Sequence, residues 1–151
     1  MAGLIDKINQ DLNSALKSHE ETRVSALRMT LSNLKNAQIA KGGELTDEEA
    51  IVEIGKDAKR HKESIEAYKG AGRDDLVQKE EAELEILSGY LPAELSDEEL
   101  ANMVDQAVAA IGATSIVDMG RVIKAVMSSG GTRADGAKVA AIVKSKLAPN
   151  S

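Results

Sequence analysis

The stretch YLPAELSDEEL, residues 90–100, sets the layout of the chain. Pro92 lacks a backbone donor and pushes Leu91 out of the α region, so a helix arriving at Tyr90 must stop there. Four residues later Ser96 stands where a helix N-cap belongs, and Glu99 can reach back to complete a capping box. Leu95 and Leu100 occupy the two positions of a hydrophobic staple around that cap. One helix therefore ends and another begins within a few residues, and Pro92 to Leu95 reads as the boundary between two domains.

Working outward, the apolar period is helical nearly everywhere. Upstream, Leu4, Ile5, Ile8, Leu12, Ala15 and Leu16 form one face of a first helix. Val24, Leu27, Leu31 and Leu34 make the stripe of a second, which stops near Lys41-Gly42-Gly43. Thr46 and Glu49 form another capping box. It opens a third helix whose stripe is Ile51, Ile54, Ala58, His61, Ile65 and Tyr68. Gly70-Ala71-Gly72 breaks it, and a fourth helix runs from about Asp74 to Gly89. Downstream, three shorter helices are predicted near 97–111, 116–128 and 136–147. Gly112 and Gly130 stand at C-cap positions, and Asp135 caps the last helix. Strand-like alternation of convincing length is lacking, so no sheet is predicted. The expected fold is all-α: an N-terminal four-helix part with long helices (1–92), then a compact C-terminal three-helix part (96–149).

Composition narrows the function classes. The 151 residues contain no Phe and no Trp, and the only tyrosines are Tyr68 and Tyr90. A core of Leu, Ile, Val, Met and Ala suits helix-on-helix packing. The same scarcity removes the stacking platforms of single-stranded nucleic-acid modules. With no cysteine, disulfides, thiol catalysis and Cys-based metal centres are excluded. The segment MAGLIDKINQDL has the character of neither a signal nor a transit peptide, and no apolar run is long enough to cross a bilayer. A soluble, cytoplasmic protein without membrane contact is the expectation. Charge is unevenly spread: residues 1–111 carry 13 Lys+Arg against 23 Asp+Glu, whereas residues 112–151 carry six cations against Asp118 and Asp135. Such asymmetry fits two readings: a localised anion-binding end on an acidic body, or chance variation in charge between short helical segments.

GGTRADGAK, residues 130–138, is the one stretch with a phosphate-loop flavour. Gly131 and Gly136 have the P-loop separation, but Ala137 takes the lysine position and no strand precedes the loop. It reads instead as two caps in tandem, with Arg133 and Lys138 flanking a helix N-terminus that favours anions. The basic run Lys56, Lys59, Arg60, His61, Lys62 reads as a solvated helix surface paired with neighbouring acids. His61 falls on an apolar stripe as a packing residue, and His19 falls in a turn. With no HExxH pattern and no second nearby histidine, no metal site is expected. Glu80, Glu81, Glu83 and Glu85 read as a solubilising run. No catalytic residue and no cofactor are assigned.

Four separated segments, SALRMTLSNLKNAQIAKG (25–42), YKGAGRDDLVQKE (68–80), YLPAELSDEEL (90–100) and DMGRVIKAVM…GTRADGAKVAAIVKSKL (118–147), resemble the YqeY family in order and spacing. That family is similar to the C-terminal helical and tail region of the aspartyl/glutamyl-tRNA amidotransferase B subunit. The resemblance implies an all-helical, two-part fold and a tRNA-binding accessory module that acts by shape and phosphate contacts, without catalysis of its own. It also implies association with a carbon–nitrogen ligase activity that uses glutamine as amide donor. The family's tail motif maps onto Asp118, Gly120, Val122, Met127, Arg133, Ala134, Asp135, Gly136, Val139 and Leu147. From it, Arg121, Lys124, Arg133 and Lys138 are the candidate nucleic-acid-binding residues. A protein partner is the alternative, met by the Leu27/Leu31/Leu34 and Ile51/Ile54/Ile65 stripes; the oligomeric state is not set by the sequence.

Overall fold

The computed structural model describes residues 3–149 and is all-helical, with no strand among them. The helices are α1 (Leu4–Lys17), α2 (Glu21–Lys41), α3 (Asp47–Gly70), α4 (Asp74–Ser88), α5 (Asp97–Ile111), α6 (Met119–Gly130) and α7 (Gly136–Leu147). Short 3-10 turns at Ile116–Asp118 and Gly131–Arg133 flank α6. The chain divides into two compact units, Met1–Leu91 and Pro92–Ser151. No single helix among the described residues is long and apolar enough to cross a membrane.

The first unit holds α1 to α4 around Ile8, Leu27, Leu34, Ala50, Ile54 and Leu87. Its caps follow from side-chain chemistry. Thr46 Oγ1 accepts from the Glu49 amide at 3.2 Å, closing the box at the start of α3. Lys41 Nζ sits 2.7 Å from Glu49 Oε1, and this contact holds the Glu49 carboxyl below the usual carboxylate range. Asp47 Oδ1 accepts from the Leu4 amide at 3.0 Å, so an acid on α3 satisfies an orphan donor of α1. His19, between α1 and α2, has φ 56 and makes that turn left-handed.

Tyr90 closes the unit by donating its hydroxyl to Asp11 Oδ2 on α1 at 2.5 Å, with Lys7 Nζ 5.9 Å from the ring centroid. Burial, reinforced by Asp11, pushes the phenol up from 10.0 to about 12. Below pH 10 this interaction contributes fully to stability. Between pH 10 and about 12 the unfolded chain ionises first, so stability falls as pH rises. Urea midpoints measured across that window should decline in the native protein, and the decline should be shallower in Tyr90→Phe.

The second unit packs Leu95, Leu100, Val104, Val122, Val126, Ala134, Val139, Val143 and Leu147 into one core. Ser96 caps α5 by accepting from the Glu99 amide at 3.1 Å, and the Leu95–Leu100 staple is buried. Asp135 Oδ1 accepts from the amides of Ala137 and Lys138 and caps α7. Gly112 caps α5 with φ 74, as the glycine pattern predicts. The end of α6 differs from expectation: Gly130 remains helical at φ −81 and Gly131 takes the turn at φ 57. Packing makes that choice, because a Cβ on Gly130 would lie 2.6 Å from Ala134 Cβ.

Candidate functional site

The four cations nominated from sequence are all exposed and all lie in the second unit. Arg121 and Lys124, three residues apart on α6, share a face. Arg121 pairs with Asp118 at 3.6 Å across the start of that helix, whereas Lys124 has no ion pair among the described residues. Arg133 does structural work: its Nε donates to Ala93 O at 2.9 Å, and its own carbonyl accepts from Leu95 N at 2.8 Å. Lys138 lies 3.7 Å from Asp97, at the first turn of α5. Arg133 and Lys138 therefore both reach the segment that enters α5, while Arg121 and Lys124 stay on α6.

Two further cations on α7, Lys144 and Lys146, belong to the same region. Lys146 Nζ is 2.6 Å from Asp105. The Lys138–Asp97 and Lys146–Asp105 pairs repeat at the same spacing on both helices, so α5 and α7 run side by side in one direction. These pairs are solvent-exposed, a class worth about 0–1 kcal/mol each. Exchanging a carboxylate for a phosphate partner at such positions costs little.

A second polar region lies in the first unit, and sequence reasoning missed it. A cleft of about 600 Å³ between α2, α3 and α4 is lined by Thr30, Asn33, Asp57, His61, Glu80 and Glu83, among others. Thr30 and Asp57 are buried. Thr30 returns its hydroxyl to Ala26 O at 2.9 Å, and Asn33 donates to Asp57 Oδ2 at 2.8 Å. The other oxygen, Asp57 Oδ1, makes no hydrogen bond and faces the Arg60 guanidinium. His61 does not pack on an apolar stripe: its Nδ1 is 2.5 Å from Glu80 Oε2 and 3.8 Å from Glu83 Oε2. The signal available was a polar ring interrupting the α3 stripe opposite a Glu pair three residues apart on α4. The flanking cations of α3 do behave as a solvated face, with Lys56 paired to Glu53 at 3.1 Å.

The stripes considered for a protein partner are largely core. Leu27, Leu34, Ile54 and Ile65 are buried. The exposed large apolar side chains are instead Leu16 on α1, Met29, Ile39 and Val52 on α2 and α3, and Ile116 and Val117 before α6.

Residues 5–147 match the family described as YqeY-like protein. The chain belongs to the YqeY family. Within that family it is similar to proteins named altered inheritance of mitochondria protein 41, mitochondrial. The sequence from Eremothecium gossypii is 35% identical over 101 residues, covering 65% of this chain and 55% of the relative. Those from Lachancea thermotolerans and Saccharomyces cerevisiae are 34% and 33% identical over 88 residues, covering 58% of this chain and 47% and 48% of the relatives. The chain thus spans about half the length of the curated relatives it matches. These names overturn the cytoplasmic expectation, since the relatives are mitochondrial proteins. That expectation rested on the residues of the first helix, whereas location is read by receptors from targeting segments distinct from the packed fold. The chain is therefore a small, all-helical member of this family.

Proposed function

We propose that this YqeY-family protein is a tRNA-binding accessory module whose second unit holds the RNA through phosphate contacts. The observation that supports this reading most is the charge segregation of α6 and α7. From Met119 to Pro149 the chain carries Arg121, Lys124, Arg133, Lys138, Lys144 and Lys146 against the single acid Asp135. All six cations are exposed. Contacts of this kind give affinity and orientation without reading sequence, which suits recognition of a folded RNA by its backbone. The resemblance of segment 118–147 to an amidotransferase B-subunit tail points to the same ligand.

The test is tRNA binding by the purified protein at two salt concentrations. If about four phosphates are neutralised, affinity drops on the order of 100-fold between roughly 50 and 200 mM salt. The variant that neutralises Arg121, Lys124, Arg133 and Lys138 should lose binding. Arg133 also latches Ala93, so Lys124→Gln with Lys144→Gln serves as a second variant that leaves that latch intact, and it should weaken binding by about tenfold at low salt. Binding insensitive to salt and to both variants would sink the reading and turn attention to a protein partner.

A further inference from the structure

The cleft of the first unit contains a set of donors that phosphate binding leaves unused. His61 Nδ1 and one carboxylate oxygen each from Glu80 and Glu83 lie within 4.8 Å of one another. The donors come from two helices: His61 from α3, and Glu80 and Glu83, one turn apart, from α4. Their side chains are 15–18% exposed, so they are neither a solvated charge run nor sealed from solvent. They line the same cleft as Asp57, which is 5% exposed and whose Oδ1 faces the Arg60 guanidinium.

We propose that His61, Glu80 and Glu83 form a binding site for one first-row divalent cation, with its remaining coordination positions open to the cleft. One imidazole nitrogen with two carboxylate oxygens suits Zn²⁺, Mn²⁺, Fe²⁺ or Co²⁺, whereas an all-oxygen set would suit Mg²⁺ or Ca²⁺. Metal–ligand distances of about 2.0–2.2 Å place neighbouring donors roughly 3 Å apart. The 2.5 Å His61–Glu80 contact already lies below that spacing, and the 3.8 Å His61–Glu83 contact needs a small side-chain rotation to meet it. A metal bound through Nδ1 needs that nitrogen free of its hydrogen, so the ligands in the bound site are a neutral imidazole and two carboxylates. The cleft supplies room for water in the open positions. Arg60 and Lys79 line it too and temper its negative field, which favours a site of moderate affinity. Three protein ligands with an open face is the arrangement of reactive metal sites, while structural sites are closed by four.

The proposal stands apart from the tRNA reading, since it concerns a different unit. Its test uses the full, untagged chain after chelator treatment. Co²⁺ is followed by its visible absorption and Zn²⁺ by calorimetry. One equivalent per chain is expected, with a rise in melting temperature. His61→Ala and Glu83→Gln should each weaken Zn²⁺ binding by more than about tenfold, while His19→Ala should not change it. Circular dichroism checks that each variant is folded. If His61→Ala is not, the nearly isosteric Glu83→Gln decides alone. Absence of saturable binding at sub-millimolar metal, or stoichiometry and affinity unchanged in Glu83→Gln, overturns the site.

Discussion

Ile54→Ala lowers the stability of the first unit by about 2–5 kcal/mol. Ile54 has no exposed surface and sits in the cluster with Ile8, Leu27, Leu34, Ala50 and Leu87. No aromatic ring is part of that buried set, and the one that packs against it, Tyr90, is tied to Asp11 by its hydroxyl and does not move freely into the space. The loss combines the transfer energy of the deleted methyl groups with the cavity they leave. Because the cores of the two units are separate clusters, the effect should be regional. Amide exchange should accelerate in residues 4–91 and stay close to native in residues 97–147. Ile54→Val, which removes one methyl, should cost only about 0.5–1.5 kcal/mol. A loss below about 1 kcal/mol in the alanine variant would mean that Ile54 is not a core residue.

Gly130→Ala destabilises the second unit by about 1–3 kcal/mol, against the ordinary preference of a helix for alanine. The new Cβ would lie 2.6 Å from Ala134 Cβ and 3.3 Å from Leu95 Cδ1. Ala134 and Leu95 are both core residues, and Leu95 itself is fixed by its amide to Arg133 O, so neither yields freely. Two comparisons isolate the cause. Gly120, also on α6, faces open space, so Gly120→Ala should gain about 0.5–1 kcal/mol. Pairing Gly130→Ala with Ala134→Gly removes the clashing methyl, and the double mutant should recover part of the loss. Thermal melts of the three variants check this. If Gly130→Ala raised the melting temperature as Gly120→Ala does, the close approach of α6 to the turn after it would be wrong.

Gly130 also shows where sequence reading stops. The pair Gly130-Gly131 announces a helix end, and either residue can cap; the choice of Gly131 comes from contact with Ala134 and Leu95, which only the folded unit reveals. Features set by neighbours in the chain were legible. Thr46, Ser96 and Asp135 each stand within three residues of the amides they cap, and the seven helices follow from apolar spacing with glycine stops. The His61–Glu80–Glu83 set was hidden because its members are 19 and 22 positions apart. Which acids of the 80–85 run face α3 depends on how α3 and α4 pack, a tertiary fact. Arg133 was nominated for phosphate on charge, yet its Nε and carbonyl tie residues 93 and 95 to the turn before α7. A cation can do both, because its latch uses one of five guanidinium donors.

The proposed RNA-binding role is tested most directly by backbone amide shifts of the labelled protein on titration with unmodified tRNA at low salt. Shifts concentrated in residues 119–147, strongest near Lys124, Lys138 and Lys144 and reversed by added salt, are the predicted result. Shifts confined to residues 4–91, or none at tRNA excess, would contradict it.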